Sequence, residues 1–573
     1  MSRSRPVTSG AVALLSLVIY GLPARAQTET AARAVSFDSE AELKQLRRAR
    51  RDFERVRESN APALRFDLPS RCDLSFGIYC YHFNTPDEET PPEPAETDAA
   101  RSDLLERLED GARSLPGDPW IAGQRVRYLV EHGRPDAAAA AARECRSVQW
   151  WCTALSAFVL HAQGDDSAAD TVFAEALAAM PRAEKCVWID LTPLLGDQAG
   201  SYAKLPCEAR EGGNLRWWWL GRPLYLRPGN DLRVEHFSRV VMARIRSDES
   251  LDRPLDVGGN YSELIIRYGW PVTWLRAPRR TGDLEPGRLV TRERIPAWSF
   301  FPSAKQPPVW QLDSASAASI YAPLWATTFS TIDHLQIARF RRSDSVVTIA
   351  GFDLSTDTVL AGLTPTVALA VGTDAASPVV LSPVLKKLYG AVAVQSADPP
   401  TLVSLEAMRE EARWAGRFRS ATTDAATWFT SPLSDILLVR AEAASTGALD
   451  TLTSIALPGT VLPRGQPVGI YWEWYERPPA GTVLAIEARV AKIGGKGRID
   501  PLGRSACAPA GKAAIAVQWR EPVTSQRMGL GRAVALDLTR LESGRYVIAI
   551  SVSGEGASAP PSCTSREIEL AGR

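Results

Sequence analysis

Asn260–Trp274 reads N-Y-S-E-L-I-I-R-Y-G-W-P-V-T-W and lies near the middle of the 573-residue chain. Leu264, Ile266 and Tyr268 alternate with Glu263, Ile265 and Arg267, and this period of two predicts a strand with one strongly buried face. Gly269 permits a tight turn after it, and Pro271 directs Trp270 away from helical geometry. Sequence before the stretch is patterned for helices and sequence after it for strands. The chain therefore reads as a multidomain α+β protein: helical repeats first, a central α/β module, then an antiparallel β-sandwich.

Upstream of this stretch, Asn230 is placed to cap a helix in which Val234, Phe237, Val241 and Ile245 form one apolar stripe. His236 lies beside that stripe and reads as a partly buried polar residue. Residues 186–230 look irregular, with several Gly and Pro, and contain the run Trp217-Trp218-Trp219. Three adjacent tryptophans on one element cannot share one core. At least one is expected to be half exposed or to pack on a neighbouring domain. A sugar-stacking platform is the functional alternative for Trp217, Trp218 and Trp219.

The order of a Trp-rich segment, R-P-G-N-D, a helix with an F-S-R-V core, and then I-I-R-Y-G-W-P is similar to the GWxTD domain, a bacterial domain of unassigned activity. In that family a strand ends in R-Y-G-x-P, matched here at Arg267, Tyr268, Gly269 and Pro271. The name-giving signature departs, because Asp256-Val257-Gly258-Gly259-Asn260 stands in its place. Any role tied to the signature's Trp and Asp does not transfer. The resemblance covers Leu215–Trp274 and implies an α/β module over 186–300 of an exported bacterial protein.

Residues 101–185 are helical and repetitive. One unit runs Trp120–Cys145 with its turn at His132-Gly133-Arg134-Pro135. A second runs Cys152–Pro181 with its turn at Gln163-Gly164-Asp165. Gly164, Ala169, Phe173, Ala176 and Pro181 stand at the offsets of a tetratricopeptide repeat, where small residues let paired helices approach closely; Gly133, Ala138 and Ala142 are in step in the first unit. The region resembles a short, divergent tetratricopeptide pair. Such repeats imply a groove for a protein partner, with Trp120, Tyr128, Trp150 and Trp151 as candidate contact residues.

The first hundred residues fall into three parts. Ser2–Arg5 is basic, Gly10–Leu22 is apolar, and Ala24-Arg25-Ala26 has the form of a cleavage site, so 1–26 is expected to be a signal peptide cleaved after Ala26. Over 39–82, Ser39–Glu58 predicts an amphipathic helix capped by Ser39 with Glu42, its stripe being Leu43, Leu46, Phe53 and Val56 and its Arg-dense side solvated. Pro- and Glu-rich 83–100 reads as an extended linker.

Downstream, 330–430 is a β-rich region with strands at Leu335–Phe340, Val346–Phe352, Thr366–Val371 and Ala391–Val394; Leu402–Arg417 is ambiguous between strand and helix. In 431–573, Ile470, Trp472 and Trp474 begin a set of alternating strands. It continues through Leu484–Val490 and Val534–Leu538 to Tyr546, Ile548, Ile550 and Val552, the pattern of an antiparallel sandwich. Its close, L-D-L-x-x-L-x-x-G-x-Y-x-I-x-I, resembles the final hairpin of fibronectin-like modules.

Formal net charge is zero, so no global field favours nucleic acid, and no nucleic-acid partner is expected. No segment of the mature chain is apolar enough to span a bilayer. The eight cysteines fall into neighbouring couples. In an exported chain they predict Cys72–Cys80, Cys145–Cys152, Cys186–Cys207 and Cys507–Cys563. No C-x-x-C is present and no metal or cofactor is expected. Zinc-protease, nucleophile-elbow and P-loop signatures are absent, and no catalytic residue is assigned. Asp333-His334 reads as a surface pair, and Glu263 with Arg267 as a cross-strand ion pair. The expected function is a non-enzymatic scaffold of the bacterial cell envelope, periplasmic or secreted, holding an envelope protein or peptide through its helical repeats. An envelope glycan or peptide hydrolase, or a glycan-binding protein, is the alternative.

Overall fold

The computed structural model describes residues 24–62, 74–76, 79–82, 92–194, 199–247, 261–276, 289–294, 323, 325–421, 425–444, 451–476, 481–494, 499–503, 513–523, 530–554 and 560–571. The expected signal segment before Ala24, the signature-equivalent Asp256–Asn260, Cys72 and Cys507 lie outside them. The chain is a mixed α+β protein, mainly helical in its first half and mainly stranded in its second.

Among the described residues, eleven α-helices build the first half: α1 (Ala24–Asn60), α2 (Ala95–Ser114), α3 (Pro119–Glu131), α4 (Pro135–Arg143), α5 (Gln149–Ala162), α6 (Asp166–Ala179), α7 (Arg182–Trp188), α8 (Ala199–Tyr202), α9 (Cys207–Gly221), α10 (Asp231–Ile245) and α11 (Tyr261–Tyr268). Two antiparallel hairpins sit where the small residues placed them. Gly133 and Gly164 take φ of +67° and +81° between the paired helices, a conformation glycine adopts without penalty. Ala138 and Ala142 in α4, and Ala169, Phe173 and Ala176 in α6, face inward. Asn230 caps α10 by accepting from the Arg233 amide at 3.2 Å, as its sequence position predicts.

Several sequence expectations are corrected here. Tyr261–Tyr268 is a helix, not a strand. Tyr261, Leu264 and Ile265 are buried and fall at helical spacing, and the competing alternation did not prevail. Gly269 then ends α11 with φ +83° and its amide bonded to the Ile265 carbonyl at 2.7 Å. Glu263 and Arg267 pair one helical turn apart at 2.9 Å rather than across strands. Ser39 lies inside α1 and does not cap it. The expected linker to residue 100 ends early, because α2 starts at Ala95. Residues 186–230 are largely helical. His236 is fully buried.

The boundary drawn at residue 185 also disappears. One apolar core runs from Leu46 in α1 through both hairpins to Val241 in α10 and Ile265 in α11. A small mixed sheet ties the chain's early and central parts, with Tyr79–His82 parallel to Thr291–Arg294, and Thr273–Arg276 antiparallel beyond it.

Among the described residues, four sheets make up most of the second half. The first contains Thr328–Thr331, Thr366–Gly372, Val380–Leu381, Leu385–Lys386, Leu402–Arg409 and Trp414–Ala421; the second contains Leu335–Arg342, Ser345–Asp353 and Tyr389–Ser396. The third contains Leu437–Val439, Val468–Trp474 and Leu530–Leu536; the fourth contains Val461–Pro463, Val483–Lys492, Ala513–Pro522, Gly544–Gly554 and Ser562–Ala571. The ambiguous Leu402–Arg417 resolves into an antiparallel pair of strands turning at Arg413, which takes φ +47°. Pairing is antiparallel except at two edges, where Thr328–Thr331 and Val461–Pro463 run parallel to their neighbours.

The sheets share cores in sequence. Val367, Leu405 and Trp414 of the first meet Ile337 and Phe352 of the second. Ile470, Trp472 and Trp474 of the third meet Ile486, Ile548 and Ile568 of the fourth. The second and third also pack back to back, through Phe340 and Ile349 against Val439 and Tyr471. That is why Val468–Trp474 is buried on both faces: alternate residues serve alternate cores.

Candidate binding site

Trp270–Trp274, the segment leaving α11, closes a cavity of about 490 Å³ against α1, α2, α3 and α5. α1 contributes Arg57, α2 Thr97 and Arg101, α3 Glu131, and α5 Phe158 and His161. Trp270 packs its ring on Phe158 at 5.7 Å. Trp274 stacks on the Arg57 guanidinium at 3.9 Å, and Phe53 contacts the same group at 4.6 Å. Arg50 and Arg57 lie on the buried face of α1 with Leu46 and Phe53, so the arginines of this helix are not all solvated.

Buried ion pairs surround the cavity. Arg57 pairs with Glu54 at 3.2 Å and Glu131 at 3.0 Å. Arg127 donates to Glu131 at 2.7 Å and to Glu54 at 3.1 Å, and Tyr128 donates its hydroxyl to Glu54 at 2.6 Å. Burial opposes ionisation of Glu131, yet Arg127 and Arg57 hold it down at about 2. Burial likewise disfavours the charged Arg57, but the two carboxylates raise it above its ordinary value. Such compensation is what a charge removed from water requires.

His161 donates from Nδ1 to Asp166 at 2.7 Å and from Nε2 to Glu235 at 2.9 Å. Burial lowers its proton affinity, but these two acceptors raise it to about 9. An imidazolium with both nitrogens committed is a poor general base at neutral pH. Glu235, held by Arg239 and His161 against burial, stays ionised down to about 2.

Beside these ion pairs, four buried donor atoms of the lining have no hydrogen-bond partner, Arg57 Nε and Nη1, Arg101 Nε and the Thr97 hydroxyl, against one such acceptor atom, Glu131 Oε2. Their residues are 2%, 3% and 1% exposed. Arg101 uses Nη2 on Glu93. Pro94, the cap residue of α2, offers no side-chain acceptor to the helix start. The lining thus carries more donors than acceptors.

Of the predicted contact residues, Tyr128, Trp150 and Trp151 belong to the apolar core, while Trp120 is half-buried against it. Trp150 and Trp151 pack with Trp188, and Trp151 donates to the Pro119 carbonyl. They support the helices and offer no open contact face. Trp217, Trp218 and Trp219 lie on α9 with 1%, 6% and 8% exposure. Their cluster includes Ala370 and Leu402 of the first sheet, the interdomain packing that the sequence allowed. No coplanar exposed platform results. A shallow cavity beside Trp218 and Trp219 has Asp170 as its carboxylate, already paired with Arg233 at 2.7 Å.

Cys145–Cys152 and Cys186–Cys207 are disulfides. Cys563 is also disulfide-bonded, and its expected pairing with Cys507, like Cys72–Cys80, falls outside the described residues. No described helix is long and apolar enough to cross a membrane. The disulfides fit an extracellular or periplasmic protein.

No protein-family model matches the chain, and no curated protein matches it. Solved structures that align with it include a DUF3823 family protein from Bacteroides ovatus, at 8% identity and TM-score 0.15, covering 42% of this chain and 98% of that one. A DUF3823 family protein from Parabacteroides merdae aligns at 7% identity and TM-score 0.14, covering 42% and 100%. Red sea bream transglutaminase aligns at 8% identity and TM-score 0.14, covering 56% and 44%. At these scores the likenesses carry no argument.

Proposed function

We propose that the chain is a non-catalytic binding protein of the bacterial envelope, periplasmic or secreted. Its helical half would combine tetratricopeptide-like hairpins with a GWxTD-like segment. The paired sheets are read as two sandwiches, the last fibronectin-like, that hold the helical body out on a stiff support. A partner protein or peptide is held at the helical body. The observation that carries this reading is the cavity under Trp270–Trp274, whose buried donors are left without acceptors while its one histidine is locked as a cation. Such a lining favours holding a ligand over turning one over.

Val272 stands on the cavity rim and is 56% exposed. A photoreactive residue placed there is expected to capture a specific partner in cells, whereas one at the exposed Val517 of the fourth sheet is not. Equal labelling from both positions, or none from Val272, would return the chain to hydrolase and glycan-binding assays.

A further inference from the structure

We propose that this cavity binds a carboxylate carried on a flat apolar group, the acid meeting Thr97, Arg101 and Arg57 and the apolar body lying against Trp270 and Phe158. The inference rests on the binding reading above and names the chemistry of what is bound. Its starting point is an imbalance of hydrogen-bonding groups. An unpartnered buried donor costs free energy in the folded state. Four such donor atoms, Arg57 Nε and Nη1, Arg101 Nε and Thr97 Oγ1, belong to residues that line this cavity, against one unbonded acceptor atom, Glu131 Oε2.

What satisfies guanidinium and hydroxyl donors together is an oxygen acceptor, and a negative charge makes each bond stronger. The start of α2 adds to this. Pro94 and Thr97 both line the cavity, and Pro94 gives the twenty-residue helix no side-chain cap, although Glu96 and Asp98 in its first turn offset part of its positive end. The lining's own carboxylates do not meet the demand. Glu131 is ion-paired with Arg127 and Arg57, its Oε2 making no hydrogen bond, and Glu93 reaches Arg101 only at Nη2.

A carboxylate suits the site better than a phosphate. The cationic groups Arg57, Arg101 and His161 are each already paired with lining or adjacent carboxylates. The surplus is therefore in donors more than in charge, and a group with one negative charge matches it. The rest of the wall is apolar and aromatic: Phe158, Val130, Trp270 and Trp274. A ligand of about 490 Å³ or less must have a compact apolar body, such as an aryl acid or the last residue of a peptide.

The test uses the full chain and four probes followed by calorimetric titration. These are indole-3-acetate, indole-3-acetamide, a pentapeptide ending in tryptophan with a free carboxyl end, and the same peptide amidated. At least one acid is expected to bind, with its amide weaker by about tenfold or more, the worth of a lost charge-assisted bond. Binding of the small acid alone names a free metabolite-sized acid; binding of the peptide acid, a chain terminus. Arg101→Gln is expected to weaken the acid and leave the amide unchanged. Because that side chain is buried, Thr97→Val, nearly the same shape without the hydroxyl, serves as the second variant and should weaken the acid severalfold. Amides that bind as well as acids, or no binding by any probe, overturn the inference. Partner capture from Val272 in the absence of acid binding would leave the binding reading standing and this one refuted.

Discussion

Both halves of the molecule bury arginines, and they use them in opposite ways. At the junctions, guanidinium groups are spent on main-chain carbonyls. Arg566 donates to Ile436, Pro501 and Ile337, joining the fourth sheet to the second at 2.5, 2.7 and 2.5 Å. Arg419 pairs with Glu406 at 2.7 Å and reaches the Leu220 carbonyl at the end of α9 at 2.8 Å, while Arg417 donates to Pro223 at 2.5 Å. Around the cavity, Arg57 has only Glu54 and Glu131 for its Nη2, and its other nitrogens have no partner. The joints still leave single donors unbonded, such as the Trp219 indole, but at the cavity four unbonded donor atoms belong to three residues of one lining.

The comparison breaks most easily at the joint between α9 and the first sheet. Arg419→Leu strands Glu406 in a fully buried position and is expected to cost about 3–5 kcal/mol in denaturant unfolding, with no loss of ligand from a chain still folded. A cost below about 1 kcal/mol would mean the pair is not a structural joint.

The disulfides give the next effect, and they differ. Cys186–Cys207 spans a sequence separation of 21 and Cys145–Cys152 one of 7. Loop entropy then predicts about 3.4 kcal/mol for the first and about 2.5 kcal/mol for the second. Urea midpoints of the paired Cys→Ala variants should show that order.

Gly372 sharpens the same joint. A methyl group there would come within 2.8 Å of the Trp219 ring. Gly372→Ala is expected to lose about 1–3 kcal/mol by overpacking, whereas Gly212→Ala, with open space around it, should be neutral or stabilising.

Two histidines should give stability a maximum near their ordinary range. His161 is raised to about 9 in the folded state, so its contribution is whole below its unfolded value of about 6.5 and is lost as pH rises through about 9. His236 is lowered to about 3 by burial and by Arg239; its contribution is whole above about 6.5 and is lost as pH falls toward 3. Unfolding midpoints of His161→Gln should flatten the alkaline limb, and those of His236→Phe the acid limb. Unchanged limbs would refute both assignments.

Much of the fold was legible where local chemistry and packing agree. Gly133 and Gly164, the Asn230 cap and the alternating strands from Leu335 to Val552 all read correctly, because each is set by backbone conformation or one buried face. Asn260–Trp274 misled because a short apolar run fits both periods, and Tyr261 with Leu264 and Ile265 carried the helical one. The tryptophan run was legible in part: packing on a neighbouring domain was expected, burial of all three rings in one cluster was not. Three successive helical residues span more than half the circumference, and only a helix clasped on two sides buries them all. For α9 those sides are the first sheet, through Ala370 and Leu402, and the helical loops around Leu191 and Tyr225.

The cavity was not legible at all. Its donors come from Arg57, Thr97 and Arg101, brought against Trp270 by tertiary packing with no local spacing to announce it. One signal was present: Arg50 and Arg57 repeat at the seven-residue offset of Leu46 and Phe53, so charged residues occupy an apolar stripe. A charge that interrupts a buried face at its own period points to a partner elsewhere in the fold.

The measurement that bears most directly on the account is a paired one on Thr97→Val, recording the unfolding midpoint and the capture yield from a photoreactive residue at position 272. If the hydroxyl is kept for a ligand, the variant keeps or gains stability, since it sheds an unpartnered buried group, and captures less partner. A variant that is destabilised yet captures as much as the parent would show that Thr97 serves the fold, and would contradict a binding role for the cavity.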